Sequence, residues 1–322
     1  MNEELIQYKR EITIKDLLEQ WLRNKEYQLK KSTILKYKNI INLHIIPEIG
    51  DVKLEEITFN TINQFLYNKS LTGRINDNKN LSKSYIKTMA IILSSAINYA
   101  ILYGLTKPLV GKIIKPSITN SKIIALTKEE QYKLEKHLSK CKDNTELAII
   151  IALNTGLRIG EICALSWADI DLNKDILHVK NSVIRIEDSS NNKSSKTKLI
   201  IDLPKSKHSI RDIPITSKLK EYLLKYYVHN KYDYVLTNSN EFLSPRTLEY
   251  RFHSFLKKSG IKNFNFHILR HTFATRCIEC DVDIKTLSEI MGHASVNITL
   301  NNYVHPSFEN KRHQLEKLDN FG

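Results

Sequence analysis

The chain has 322 residues, of which 41% are hydrophobic, enough to bury the cores of two domains. Its formal net charge is +14 at pH 7, and residues 1–105 carry only +4 of it, so the surplus is spread along the chain. A surplus of this size indicates a polyanionic partner such as nucleic acid, and its spread excludes a basic tail as the only source of attraction.

The number of cysteines and the length of the apolar runs indicate in which cellular compartment the protein lies. Four cysteines are too few for a disulfide scaffold, and the C-x-x-C of Cys277 and Cys280 has no second pair at a ligand spacing. Because the surrounding pattern is helical, we expect no metal or redox site there. The N-terminus lacks the apolar segment of a signal peptide, and no apolar run reaches the length of a membrane span. We therefore expect a cytoplasmic protein without a membrane partner.

The first hundred residues predict a small helical domain over 12–105, after a short lead at 1–11. Ser32 and Thr33 are candidate N-caps of its second helix, and Pro47 and Gly50 are expected to end that helix. Apolar residues recur at helical spacing in four segments: 12–27, 29–47, 54–71 and 81–103.

Lysines gather at the starts of two of these helices, with Tyr37 and Tyr85 among them. Such a mixture suits contacts with phosphates and grooves, although a solvated lysine-rich face explains any single lysine equally well. The lysines predicted to bind DNA are Lys30, Lys31, Lys36, Lys83 and Lys87.

Residues 106–125 contain two prolines and four lysines without a helical or strand period, which predicts an interdomain linker that could itself cross DNA. The second domain, 126–305, opens with a capping-box pattern from Thr127 to Glu130. The tail 306–322 is expected to be either a surface end or a segment that packs on a neighbouring protomer.

Inside the second domain, helices surround a short strand region. Alternating β-branched residues predict a strand at 176–187, and KLIIDLP and KSKHSIRDIPI predict two more after a polar loop. The predicted helices are 126–139, 144–155, 217–228, 245–258, 267–279, 283–291 and 295–303.

Two stretches of this domain place ionisable residues on one helix face. In TGLRIGEICALSW, Arg158 and Glu161 stand three apart, and an arginine at a buried helix start requires an anion or carboxylate partner. In FHILRHTFATRC, His267 and Arg270 share a face and could approach one phosphate, whereas we expect His271 to point elsewhere and to be structural.

A third stretch, MGHASVNITLNNYVH, has a Gly-His turn at His293 before a helix that ends near Tyr303. His305, just after it, is expected to be structural. Taken singly, each of the three stretches is more often structural than catalytic.

Taken together, TGLRIGE, HILRHTFAT and GHASVNITLNNYVH closely resemble the tyrosine recombinase (phage integrase) family. The resemblance is firm over about 126–305, and in the N-terminal domain it rests on helix pattern alone. It implies a mainly α fold, with a helical SAM-like core-binding domain and a mostly helical catalytic domain that holds a small antiparallel β-sheet.

The resemblance also implies a role for each motif residue. Arg158 and Arg270 would clamp the non-bridging oxygens of the scissile phosphate. His267 would contact the phosphate and transfer protons, and His293 would support the transition state. Tyr303 would be the nucleophile.

Two further positions follow from the same resemblance. Glu161 would steady the helix that follows Arg158. The family places a lysine on a β-hairpin between the motif blocks, where it would protonate the leaving 5′ oxygen. In PKSKHSIRDIPI, Lys205, directly after the proline, is the better candidate, and Lys207, on the same face of a strand, is the alternative.

The implied function is a site-specific recombinase that cuts and rejoins DNA through a 3′-phosphotyrosyl intermediate, without metal, ATP or another cofactor. The expected partners are double-stranded attachment sites, a homotetramer on DNA and a small directionality factor. The strand insert and the ten-residue spacing from His293 to Tyr303 favour integration or excision of a mobile element, while the short lead argues against an arm-binding domain. The alternatives are a Xer-like dimer resolvase, a type IB topoisomerase-like relaxase, and a non-catalytic DNA-binding accessory protein on the same fold.

Overall fold

The computed structural model describes residues 12–73, 79–117, 124–138, 144–188, 197–203, 207–227 and 233–304, together with residues 312, 315, 316 and 319 of the tail. The chain divides into two compact units, one spanning 1–120 with 186–198 and the other 121–185 with 199–322. The predicted domain boundaries themselves stay predictions. The lead 1–11, and most of the tail, lie outside the described residues.

The first unit is helical. Thr13, Thr58 and Ser82 begin three of its helices with side chains that accept hydrogen bonds from backbone N–H groups. Its elements are α1 (Ile14–Glu26), α2 (Lys31–Ile40), a π-helical turn (Ile41–Ile45), α3 (Ile46–Ile49), α4 (Phe59–Thr72) and α5 (Lys83–Leu102).

The second segment departs from its prediction at its start and at Pro47. Lys30 is the residue before α2, so neither Ser32 nor Thr33 caps it. Pro47 does not stop the helical run, which continues from α2 through the π-helical turn into α3. The run ends at Gly50, the other residue predicted to end it.

Helix α5 forms much of the core of this unit. It is long and apolar enough to span a membrane by length and composition, which corrects the expectation that no segment reaches that length. Eight of its side chains are nonetheless buried against the other helices of the unit: Ile86, Met89, Ala90, Ile92, Leu93, Ala96, Ile97 and Ala100. A helix that buries so many side chains within its own unit is typical of the core of a folded domain.

The chain after residue 124 holds the longer run of helices. Thr127 and Glu130 form the predicted capping box at its first helix, with backbone-to-side-chain bonds of 2.8 and 3.1 Å. The helices are α6 (Lys128–Leu138), α7 (Asn144–Thr155), α8 (Ile159–Ala164), α9 (Ser217–Tyr226), α10 (Pro245–Lys258), α11 (His267–Glu279), α12 (Ile284–Met291) and α13 (Val296–Tyr303).

Helix α7 is the centre of the second unit. Its residues Thr145–Ala152 are buried on all sides, and it contacts α8, α9, α10 and α11. This arrangement brings the end of α7, the start of α8 and the middle of α11 to one place, which is where the motif residues lie.

The strands form two small sheets. They are β1 (Ile170–Asp171), β2 (Ile176–Val179), β3 (Ser182–Glu187), β4 (Thr197–Asp202) and β5 (Arg211–Pro214). The order β1-β2-β5 makes an antiparallel sheet in which Leu177 lies opposite Ile213, and β3 pairs with β4. The fold class predicted from the sequence, mainly helical with a small antiparallel sheet, is confirmed.

Two strand predictions need correction. The single strand over 176–187 is wrong, because Lys180 and Asn181 interrupt the run of β-branched residues and β2 and β3 pair in different sheets. In the described part of KSKHSIRDIPI, Lys207–Ser209 form a 3₁₀ turn and the strand β5 covers only Arg211–Pro214.

Candidate active site

Arg158 and Glu161 form the predicted pair at the start of α8. The Arg158 guanidinium donates to Glu161 Oε1 at 2.7 Å, and the Arg158 backbone N–H donates to Oε2 at 3.0 Å. Arg211 of β5 donates to the same Oε2 at 3.0 Å, with 7% of its side chain exposed. The Glu161 carboxylate is thus buried between two arginines.

The charge state of Glu161 follows from those neighbours. Burial by itself would raise the pKa of Glu161, but the charges and hydrogen bonds of Arg211 and Arg158 outweigh it and hold that pKa below its ordinary value. The carboxylate is therefore ionised at neutral pH and fixes the direction of Arg158, of which 36% remains exposed.

Arg270 of α11 is buried and spans two helix ends. It donates to the carbonyl of Gly156, after α7, at 2.5 Å and to the carbonyl of Met291, the last residue of α12, at 2.7 Å. Arg158 in turn donates to the carbonyl of Gly292 at 3.2 Å. Carbonyls at helix C-termini carry partial negative charge, so they stabilise both guanidinium groups.

Left-handed glycines make these helix ends possible. Gly156 and Gly292 have φ angles of +65° and +61°, which side chains with a Cβ rarely adopt. A Cβ on Gly292 would also approach Arg211 Nη1 to 2.9 Å. Glycine is therefore required where the chain turns next to the arginines.

Burial, followed by the charge of nearby Arg158, lowers the pKa of Arg270 to about 9. The group stays charged at neutral pH, but two cations close together repel each other. A bound anion would relieve that repulsion, so the pair is arranged to receive a phosphate.

His293 follows the glycine turn and is held by α13. Its Nδ1 lies 2.8 Å from the hydroxyl of Thr299, which is fully buried. Burial and then the charges of the arginines, Arg270 first, lower the pKa of His293 to about 4. The ring is therefore neutral at pH 7.

Tyr303 is the last residue of α13, and its ring lies parallel to that of His293 with 6.5 Å between centroids. Its Oη lies 2.7 Å from Nδ1 of His271. Burial raises the pKa of the Tyr303 phenol, although the charges of Arg270 and Arg158 lower it in part. The phenol is consequently protonated in the free protein.

The expectation that His271 points away from the other motif residues is wrong. The α11 helix turns its ring between Tyr303 and His267, whose ring meets it edge-on with 4.6 Å between centroids. Burial, then the charges of His271 and Arg270, lowers the pKa of His267 to about 4. Because His267 is exposed, water screens this effect more than for His293.

The structure describes the five predicted DNA-binding lysines but not Lys205, the first candidate for the hairpin lysine. Lys205 falls outside the described residues, as does His305, and Lys207 begins the 3₁₀ turn that precedes β5. In the first unit Lys30, Lys31, Lys36 and Lys83 are exposed, and Lys87 is half-buried. The interleaved tyrosines are packed: Tyr37 stacks on Trp21, and Tyr85 meets the ring of His44.

The C-x-x-C pair lies at the end of α11. Burial, then the neighbouring Cys280, raises the pKa of the Cys277 thiol to about 11, so it is an unreactive thiol at neutral pH. Within the described residues there is no group of three or more His, Cys, Asp or Glu that could hold a metal ion.

Comparison with known proteins decides the family. Residues 124–310 match the phage integrase family, and residues 13–70 match the N-terminal SAM-like domain of phage integrases. The chain belongs to the phage integrase family of tyrosine recombinases.

Two relatives illustrate the range of this family. The chain is 31% identical to the tyrosine recombinase XerC-like protein of Caldanaerobacter subterraneus subsp. tengcongensis, over 96% of this chain and 83% of the relative. It is 25% identical to the ICEBs1 integrase of Bacillus subtilis, over 98% of this chain and 85% of that protein.

Solved structures share the fold. The Tn1549 transposon integrase in complex with a circular intermediate DNA superposes with a TM-score of 0.78 at 20% identity, covering 95% of this chain and 99% of that one. A lambda integrase dimer bound to a core site gives 0.65 at 22% identity, covering 94% and 80%. As a tyrosine recombinase, the protein is a site-specific DNA recombinase, an enzyme that cuts and rejoins DNA.

Arg211 is the site residue that sequence reasoning missed, and a signal for it existed. Arg211 and Ile213 are two apart on β5 and therefore share a face, and Ile213 is buried. A cation on the buried face of a strand requires a buried anion, and Glu161 is that anion in this recombinase.

Arg211→Met should destabilise the recombinase by about 3 kcal/mol, because it leaves a buried carboxylate with one of its two cations. The folded pKa of Glu161 is lowered, so its contribution is fully present above the unfolded value near 4.5 and is lost as pH falls through the folded value. Because Arg211→Met moves the folded pKa of Glu161 toward the unfolded value, this loss should be smaller in the variant, and the stability difference from the wild type should narrow as pH falls toward 4. Urea unfolding between pH 4 and 8 measures both effects.

The matched control is Lys133→Met, which removes a cation from the exposed pair with Glu129. That variant should unfold at the same urea concentration as the wild type. An Arg211→Met protein with an unchanged urea midpoint at pH 7 would contradict the role assigned to the buried pair.

Proposed function

We propose that this recombinase cuts DNA by in-line attack of the Tyr303 hydroxyl on a phosphodiester, which forms a 3′-phosphotyrosyl bond and releases a 5′-hydroxyl. One observation carries the proposal: the Tyr303 phenol, at the end of α13, lies beside His271 and His293 and within the electrostatic reach of Arg158 and Arg270. A phenol in that position is next to where the arginines would hold a phosphate.

The arginines supply the positive charge that such a reaction requires. The planar guanidinium fork of Arg158 and that of Arg270 would bind non-bridging phosphate oxygens, and both forks are already oriented by carbonyls at helix ends. Because the arginine side chains balance the negative charge that develops on the phosphate, the proposed reaction requires no metal ion. Because the phosphotyrosine retains the bond energy, a 5′-hydroxyl can reseal the strand without ATP.

The neutral histidines would complete the phosphate site. His293 is held by Thr299 with its ring parallel to Tyr303, so it would donate from Nε2 to the phosphate as charge develops. His267, exposed and one helical turn before Arg270 on α11, would contact the phosphate and take part in proton transfer.

A lysine of the PKSK stretch would protonate the departing 5′ oxygen, and Lys205 is the first candidate. Lys205→Ala should slow cleavage by about 10²–10⁴-fold, since it removes a general acid. A duplex with a 5′-sulfur leaving group should restore most of the rate, because a thiolate leaves without a proton. If Lys207→Ala shows the loss and the rescue instead, the assignment between the two lysines reverses.

We infer integration or excision of a mobile element as the biological role. The ICEBs1 integrase matches 98% of the chain, and the Tn1549 transposon integrase shares the fold over 95% of it. The XerC-like relative, at 31% identity, favours a second candidate, resolution of chromosome or plasmid dimers. A repeat of a chromosomal sequence next to the gene, recombined by the purified enzyme, would identify the first role.

The proposed partners follow from the same roles. We propose that four protomers assemble on paired double-stranded attachment sites in the cytoplasm, and that a small directionality factor biases the outcome. Four lysines at the starts of α2 and α5 are exposed on the first unit and suit phosphate contacts: Lys30, Lys31, Lys36 and Lys83.

Suicide duplexes test the proposal. These are nicked DNA duplexes that tile the sequence flanking the gene, so that cleavage releases a short 5′-hydroxyl fragment and traps the covalent enzyme. The expected result is a denaturant-resistant protein–DNA adduct formed in EDTA without ATP. Specific binding to one duplex without an adduct would instead support the accessory-protein alternative.

A further inference from the structure

We propose that His271 is the proton acceptor for Tyr303: its Nδ1 takes the phenol proton as the Tyr303 oxygen attacks the phosphate. This inference rests on the proposed nucleophile and adds a catalytic residue to it. It reverses the sequence-based expectation that His271 is structural.

Hydrogen bonding singles out this histidine among three. In the part of the chain that the structure describes, His271 Nδ1, at 2.7 Å, is the hydrogen-bond partner of Tyr303 Oη. His293 lies parallel to the tyrosine, but its Nδ1 bonds to the Thr299 hydroxyl. His267 meets the far side of the His271 ring.

Two helices fix the pair in place. Tyr303 packs on a small apolar cluster that includes Ala274, one turn after His271 on α11. Arg270 is anchored to two carbonyls, so the turn that carries His271 cannot rotate freely. The phenol and the imidazole are thus preorganised at hydrogen-bond distance before DNA binds.

The protonation states suit the transfer. Burial, then the charge of Arg270, lowers the pKa of His271, so the ring is neutral at pH 7. In the proposed step its proton is on Nε2, so that Nδ1 accepts from the phenol. The phenol is protonated, because burial raises the pKa of Tyr303. The groups that face His271 are His267 and Arg270 on its own helix and Tyr303 on α13.

The step balances without another reactant. The O–H bond of Tyr303 breaks, its proton passes to His271 Nδ1, and the phenol oxygen forms a bond to phosphorus. The bond from phosphorus to the 5′ oxygen breaks, and that oxygen takes a proton from the general acid. In religation the His271 imidazolium returns its proton to the departing phenolate.

His271→Asn separates proton transfer from positioning, because the asparagine oxygen can replace Nδ1 as a hydrogen-bond acceptor but takes no proton at neutral pH. We expect adduct formation on suicide duplexes, under single-turnover conditions at pH 7, to slow by about 10²–10⁴-fold. The rate of this variant should rise with pH up to pH 9.5, whereas the wild-type rate should level off below pH 7.

A more acidic phenol provides the second measurement. With 3,5-difluorotyrosine at position 303, the loss of rate caused by His271→Asn should shrink markedly, because a more acidic phenol loses its proton more easily without a base. His178→Asn, at a histidine that pairs with the exposed Asp212, is the matched control and should cleave like the wild type.

The outcomes separate this inference from the proposed function. A His271→Asn rate near the wild type would overturn the inference and leave Tyr303 as the nucleophile. A slow variant with an unchanged pH profile and no effect of the fluorinated tyrosine would also overturn it, since the histidine would then only hold the phenol. A wild-type enzyme without an adduct would overturn the proposed function itself.

Discussion

Tyr303→Phe should abolish the covalent adduct while DNA binding remains within a few-fold of the wild type. The substitution removes one oxygen atom, and with it both the proposed nucleophile and the hydrogen bond to His271. The ring itself, packed beside Ala274 and Met291, is kept, so the fold should be unaffected. Adduct formation on suicide duplexes and a binding titration at fixed salt measure the two properties separately.

The matched control is Tyr132→Phe, which removes a hydroxyl from a tyrosine of α6 that is 67% exposed. That variant should form the adduct at the wild-type rate. An adduct retained by Tyr303→Phe would show that another of the fifteen tyrosines, or another residue type, attacks the DNA.

Arg270→Lys should slow adduct formation by about 10²–10³-fold with little change in DNA binding. A lysine keeps the charge, but a single ammonium cannot contact the Gly156 and Met291 carbonyls and a phosphate with fixed geometry. Removing one preorganised donor to developing charge typically costs about 3–4 kcal/mol in the transition state. Single-turnover rates at saturating enzyme isolate this step from binding.

Arg270 is also buried, so its loss could weaken the fold. Urea unfolding of the variant separates the two effects, because a folded Arg270→Lys protein with a slow rate places the defect in the chemistry. Arg251→Lys, at an exposed position of α10, is the control and should match the wild type in its rate of adduct formation and in urea unfolding. An Arg270→Lys enzyme that cleaves at the normal rate would remove Arg270 from the proposed phosphate clamp.

The positions of the helices could be predicted from the sequence, because apolar periodicity and capping patterns depend only on residues that are close together in the chain. The helices at 245–258 and 267–279 begin and end where predicted, and the Thr127 capping box forms. Periodicity reports the buried face of each helix, and in this chain it was sufficient to predict the helical fold. Boundary predictions were wrong where a local signal was ambiguous, as with Ser32 and Thr33, which are suitable cap residues but lie inside α2.

The partners of the site residues could not be read in the same way. The three-residue spacing of Arg158 and Glu161 predicted their contact, but Arg211 joins them from a strand fifty residues later. Likewise His271 follows Arg270 directly in sequence, yet the packing of α13 on α11 decides which of them meets Tyr303. Such contacts depend on tertiary packing between distant elements, which a local pattern does not contain.

Mass spectrometry of the trapped enzyme tests the central claim most directly. After adduct formation on a suicide duplex, nuclease and protease digestion leaves a short nucleotide on the peptide that carries the attacking residue. The account predicts this nucleotide on Tyr303, linked through a 3′-phosphate, in the peptide that contains TLNNYVHP. A nucleotide on any other residue, or one linked through a 5′-phosphate, would contradict it.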